Sequence, residues 1–287
     1  MSKGVIYMLI SAFIFTLMQV CVKYIPQIPP IEIIFFRSIF SLIASVSVLK
    51  AVGVSIWGNN KKVLMLRGVS GAIALTTFFI LLHQIPLAAA STLQHLSPIF
   101  SSIMGIYLLR EKVKPYQFLF FFISFCGILV IQGFDARVSV GQALLGIGSA
   151  FCTGLAYIFV RKLKNTEHPL VIIFYFPLVT LPLSGLYCLF DWVTPRGWDW
   201  LVLLAIGICT QVAQYFMTKS YQTEEIAKVS IINYMGIIYS LAFGFFIFGE
   251  YFNFLTYIGM LLVLLGVILN LIAKSSLGAS ILKKHNE

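Results

Sequence analysis

Acidic side chains are nearly missing from this chain. Asp and Glu number 10 in 287 residues, against 20 Lys and Arg. None of the ten lies in the middle of a long apolar run. Charge of both signs is scarce: 10% of the chain, where a soluble domain averages roughly 25%. No single water-soluble core could hide so much apolar surface. Chemical motifs are lacking too. The five cysteines (Cys21, Cys126, Cys152, Cys188 and Cys209) lie within apolar runs and form no C-x-x-C pair, so they read as small apolar residues. No two of His83, His95, His168 and His285 have metal-ligand spacing, so no metal site is expected. The apolar runs hold no carboxylate pair and no nucleophile beside a base, which argues against a membrane-embedded enzyme. The absence of G-x-x-x-x-G-K-[ST] argues against ATP coupling. No cofactor is implied.

What is present is apolar length. Apolar residues make up 60% of the chain. A helix needs about 20 residues to cross the hydrocarbon. Ten runs qualify: 4–24, 31–52, 63–82, 87–109, 115–133, 141–161, 169–190, 199–220, 226–249 and 253–273. Prolines or charges separate them, as at Pro26 to Pro30, Asn59 to Lys62 and Arg161 to Pro169. The backbone in lipid must pair internally, so each run reads as a helix. Lys3 precedes the first run without a small-residue cleavage site, so that run reads as a retained helix.

The net charge of +10 does not indicate nucleic acid, because the basic residues flank apolar runs. With the N-terminus inside, inner segments collect sixteen Lys and Arg, Arg67 among them, and outer ones three: Lys23, Arg137 and Arg196. Arg37 lies within a span. The bias places both termini in the cytoplasm of a cell with the protein in its inner membrane.

The chain also repeats itself. Shifted by 139 residues, Gly68 meets Gly207, Ala74 meets Ala213, Ala88 meets Ala227, Ser91 meets Ser230, Ser101 meets Ser240, Gly105 meets Gly244, Glu111 meets Glu250 and Gly127 meets Gly266. After a one-residue shift, Ser11-Ala12-Phe13 meets Ser149-Ala150-Phe151. Five spans per unit is an odd number, so the second copy enters the membrane upside down. The expected fold is an all-α integral membrane protein with ten transmembrane helices in two inverted five-helix repeats. Residues 1–133 form the first repeat, 134–140 a linker, 141–273 the second repeat and 274–287 a cytoplasmic tail. Inverted repeats mark many secondary transporters, whose substrate site lies near the midplane.

The doubled unit, its Ser-Ala-Phe entries and the paired L-L-R-E-K and F-G-E-Y endings resemble the EamA-type drug/metabolite transporters. The resemblance spans residues 4 to 273. It implies a ten-helix carrier with a central cavity, working by alternating access, and leaves the substrate open. Where many such repeats carry a proline in both central helices, this chain has Pro98 in the first and Ile237, after Gly236, in the second.

A polar side chain in a span needs a reason. Gln94 matches Asn233, His95 matches Tyr234, Thr76 matches Tyr215 and Gln19 matches Tyr157, with Gln211 and Gln214 added in the second half. These ten are the cavity candidates; interhelical hydrogen bonding is the competing reading. Pro98 and Gly236 are hinge candidates, although proline in such a helix can serve packing alone. Arg37 and His95 are the charge or coupling candidates. His95 titrates near neutral pH, against the plainer reading of a satisfied neutral ring. Arg37 is a counter-charge for a carboxylate or phosphate, against snorkelling to the outer headgroups or pairing with Glu32; the plainer reading is the expectation. Glu111 and Glu250 are expected to brace helix ends. Gly146, Ala150 and Gly154 have the small-xxx-small spacing of close helix approach.

With Arg37 as the one fixed charge, a neutral, zwitterionic or partly aromatic solute fits. An amino acid or derivative is the expected substrate, with S-adenosylmethionine, as a nucleoside-containing metabolite, the runner-up. A membrane-embedded enzyme or a scaffold subunit is the remote alternative. Partners are the solute and the bilayer, with no nucleic acid, in a monomer or homodimer.

Overall fold

A computed structural model describes residues 3–109, 119, 122, 123, 126, 127, 130, 138–223, 232, 233, 235–266, 268 and 269. The described residues are helical, in the order α1 (Lys3–Tyr24), α2 (Pro30–Val52), α3 (Lys61–Gln84), α4 (Leu87–Gln94), α5 (Ser97–Leu109), α6 (Val140–Lys162), α7 (Pro169–Cys188), α8 (Asp199–Thr223) and α9 (Met235–Phe248). A shorter apolar helix, Phe254–Gly266, follows. Six of them, α1, α2, α3, α6, α7 and α8, are long and apolar enough to cross a membrane. This is a multi-pass membrane protein. The expected span 115–133 falls largely outside the described residues.

Helix ends sit where local chemistry stops or starts them. Proline opens α2 and α7 at their first turns, where a missing N–H costs nothing. Asn60 caps α3 by accepting from Val63 N–H, and Ser139 with Gln142 forms a reciprocal capping box on α6. Gly53, at φ 71°, closes α2 in the left-handed conformation that a side chain would disfavour.

The expected span 87–109 is not one helix. It breaks at His95 and Leu96, between α4 and α5. Leu96 N–H turns back to Leu93 instead of Thr92, and Pro98 has no N–H to offer the Gln94 carbonyl.

Three helix pairs dominate the packing: α1 with α8, α3 with α6, and α2 with α7. Close approach depends on small residues. A Cβ on Gly154 would fall 2.7 Å from the Ser97 carbonyl oxygen of α5, and one on Gly68 2.7 Å from that of Tyr175 on α7. Two hydroxyl bonds stitch the first and second pairs. Ser11 donates to the Ala213 carbonyl at 2.9 Å, and Ser149 donates to the Ala74 carbonyl at 2.8 Å.

Two apolar clusters hold the ends of the bundle. One gathers Val22, Ile25, Ile28, Ile33 and Leu87; the other gathers Met8, Leu49, Leu64, Leu163 and Tyr221. Each end also has a carboxylate tie. Glu250 ion-pairs with Lys23 and accepts from Leu87 N–H, which caps α4. At the opposite end Glu167 accepts from Asn59 and Asn60 N–H.

Candidate functional site

Between the two apolar clusters lies a cavity of about 140 Å³, enough for several waters or part of a small solute. α1, α2, α3, α6, α7 and α8 all contribute to its wall, together with Gln94, His95, Asn233 and Gly236.

Two arginines face it. Arg37 lies seven residues into α2, about 10 Å along the axis from Pro30. Arg67 lies six residues into α3, about 9 Å from Lys61. Each is only 2% exposed. Both guanidinium groups sit on the Phe176 ring, with Cζ 5.3 Å (Arg37) and 4.9 Å (Arg67) from its centroid. Arg37 also lies over Phe79, at 5.6 Å. Sharing one ring keeps the two cations within about 10 Å of each other. At an effective dielectric of about 20, unit charges at that separation repel by roughly 2 kcal/mol.

Among the described residues neither cation meets a carboxylate. Arg67 Nη2 donates to Gln214 Oε1 at 3.3 Å, and the Nε atoms of both arginines have no partner. Gly71 makes this arrangement fit: a Cβ there would lie 2.5 Å from Arg67 Nη1. The five described carboxylates are engaged elsewhere. Glu32 accepts from Val193 N–H, Asp191 from the Tyr187 hydroxyl, and Asp199 from Gln27 and the Arg196 N–H. Glu167 and Glu250 tie the helix ends.

Two sequence expectations are thereby corrected. Arg37 neither snorkels nor pairs with Glu32, because aromatic rings hold its head inward and Glu32 binds a loop N–H instead. Arg67 is not a loop charge. The span 63–82 already contained it, and Gly71 one turn later was the available signal. The premise of a single fixed charge falls with it.

The amides and rings are placed as follows. Gln19, Gln94, His95, Tyr157, Gln214 and Asn233 line the cavity. Gln94 donates to Thr153 at 2.6 Å, and its Oε1 lies 2.9 Å from the Ser149 hydroxyl, whose one proton it shares with the Ala74 carbonyl. Ser91 donates to Gln19 and touches Ser240. His95 sits at the helix break, with Nδ1 2.6 Å from the Ser91 carbonyl and Nε2 2.9 Å from the Asn233 carbonyl. A neutral imidazole has one N–H, so only the imidazolium donates to both carbonyls. Gly236 packs against this ring, and a Cβ there would lie 3.1 Å from Nε2.

Thr76, Gln211 and Tyr215 do not line the cavity. Thr76 follows the lining residue Ala74 by two positions, which turns it to the far side of α3. Gln211 instead binds Ser41 and Ser45 of α2, as interhelical glue. Tyr215 stacks edge-on with Phe216. Tyr234 and the side chain of Pro98 lie outside the described residues, as does Glu111. Thr153 and Phe176 were missed: a lone threonine and a phenylalanine among 26 carry no signal in an apolar run.

A model of the EamA-like transporter family matches residues 2–133 and again 141–272. The chain is 29% identical over 275 residues to the pseudopaline exporter CntI of Pseudomonas aeruginosa, covering 93% of this chain and 95% of that one. It is 22% identical to the S-adenosylmethionine uptake transporter of Rickettsia prowazekii, covering 87% and 85%. One crystal structure superposes with a TM-score of 0.71 at 18% identity, covering 93% of this chain and 95% of that one, a likeness of fold.

Proposed function

The chain belongs to the EamA-like transporter family, and on that premise we propose that it is a secondary carrier moving a small organic metabolite across the cytoplasmic membrane by alternating access. A cavity into which both halves send polar side chains, with apolar packing toward each end of the bundle, carries this reading. The apolar packing toward either end would have to part to expose a solute held there to that side.

The hydrogen bonds support two halves that exchange roles. Ser11 matches Ser149 and Ala213 matches Ala74 in the repeat register. The bonds Ser11 to Ala213 and Ser149 to Ala74 are therefore one contact made twice. The pairs α1 with α8 and α3 with α6 exchange in the same way, while α2 with α7 maps onto itself. This is the pairing that a ten-helix inverted repeat produces, and it makes rocking one half against the other the natural motion.

An amino acid or amino-acid derivative remains the favoured solute, since two guanidiniums suit its carboxylate. The nucleoside-containing alternative rests on the relative named for S-adenosylmethionine uptake.

Proteoliposomes test the carrier reading. Labelled solute is expected to accumulate with protein present and not without it, and no solute of a broad metabolite panel crossing would overturn it. For topology, reporter fusions after Lys62, Lys112, Lys164 and Lys283 are expected to report cytoplasm, and fusions near Asp135 and Arg196 the outside. The reverse pattern would remove the orientation.

Coupling has its own test. Two carbonyls facing the ring, in a cavity without carboxylates among the described residues, support His95 as the group to test for proton coupling. Any dependence of uptake on a pH gradient is expected to vanish in His95→Gln. An unchanged dependence eliminates this role.

A further inference from the structure

We propose that Arg37 and Arg67 form an oxyanion site that defines the substrate class: a small organic acid whose carboxylate, or pair of carboxylates, lies between the two guanidinium groups. The inference rests on the carrier reading and names its solute chemistry.

Four observations converge. Both side chains are 2% exposed yet line the cavity, so neither is a surface charge. Arg37 makes no hydrogen bond or ion pair among the described residues; its only partners are the Phe79 and Phe176 rings. The Nε of each arginine is a buried donor without a protein acceptor among the described residues, a state that calls for a water, an ion or a ligand. All five described carboxylates are engaged elsewhere.

The shape narrows the chemistry. A guanidinium presents a planar fork of donors that matches the two oxygens of a carboxylate, and phosphate oxygens are met by the same fork. The Phe176 ring lies against both guanidinium groups and holds them in the cavity wall. The two arginines enter from opposite ends of the bundle, each near the start of its helix, because α3 runs antiparallel to α2. A carboxylate between them keeps one guanidinium while the other is released, whichever end opens. A solute with net positive charge would meet two like charges and no counter-charge among the described lining residues.

The test uses the purified full-length protein. Glutarate, sn-glycerol 3-phosphate and the uncharged glutaramide are compared as thermal stabilisers at millimolar concentration. Glutarate is expected to stabilise and glutaramide not. Arg37→Gln and Arg67→Gln are each expected to weaken the effect by about 10- to 100-fold, the scale of charge-assisted hydrogen bonds. Thr77→Val, whose hydroxyl binds only its own helix, serves as the unaffected control. Stabilisation by glycerol phosphate alone, lost in both arginine variants, supports the oxyanion site with a phosphate ester as its ligand. Equal stabilisation by glutaramide, none by either anion, or insensitivity to both substitutions overturns it. If a glutamine variant does not fold, Gly71→Ala displaces Arg67 and is expected to weaken glutarate likewise. Transport of a neutral or cationic solute that survives both substitutions would leave the carrier standing and sink the oxyanion site. Intact anion binding without transport of any solute would do the reverse.

Discussion

Glu250→Ala is expected to destabilise the protein by about 3–5 kcal/mol, the cost of breaking a buried ion pair from one side. The carboxylate is 7% exposed and serves two donors, Lys23 Nζ and the first N–H of α4 at Leu87. Its removal leaves Lys23, half-buried against the Ile85 carbonyl, without its counter-charge and α4 with an orphan N-terminus. Gly244 is glycine because a Cβ there would lie 2.5 Å from Glu250 Oε2, so the loop is built around this carboxylate. Lys23→Met is expected to cost less than half as much. Lys23 is 21% exposed on its side chain, and its loss leaves Glu250 still bound to Leu87. Thermal inactivation midpoints of the two variants and of the double variant measure the asymmetry. Equal costs, or a Glu250→Ala effect within experimental error, would show that the carboxylate does not hold α4.

The second large effect concerns turnover. Vesicles preloaded with a transported organic acid are expected to take up labelled acid at least tenfold faster than empty vesicles. In the unloaded carrier two guanidiniums share one cavity wall with no described carboxylate between them, and reorientation would carry them through a drier state. A repulsion of roughly 2 kcal/mol alone corresponds to about 30-fold in rate. Bound anion removes it, so the loaded carrier crosses more readily than the empty one and behaves as an exchanger. Arg67→Gln is expected to shrink the preload advantage while slowing overall transport, because one charge no longer has a like neighbour. Equal initial rates with and without preload would show that the empty cavity carries no such penalty.

Much of this molecule was legible in its residues. The six long spans followed from apolar length, because lipid leaves the backbone no alternative to helices. The break at His95 followed from a missing N–H at Pro98. The cavity amides Gln94, Gln19 and Asn233 stood out because polar groups in lipid are costly and few. Gln211 stood out equally and is glue, since hydropathy does not say which way a helix face turns. Arg67 was hidden by the same reasoning that located the spans: a cation near the end of an apolar run reads as a topology signal. Only packing decides otherwise. The glycine one turn along lets the guanidinium fold inward, and Phe176, more than a hundred residues away in sequence, receives it. Sequence alone determined that this chain is an all-helical, multi-pass membrane bundle with a few polar side chains inside it. The tertiary structure decided that the interior is cationic, because a charge's surroundings depend on which helices meet there, and no single helix carries that information.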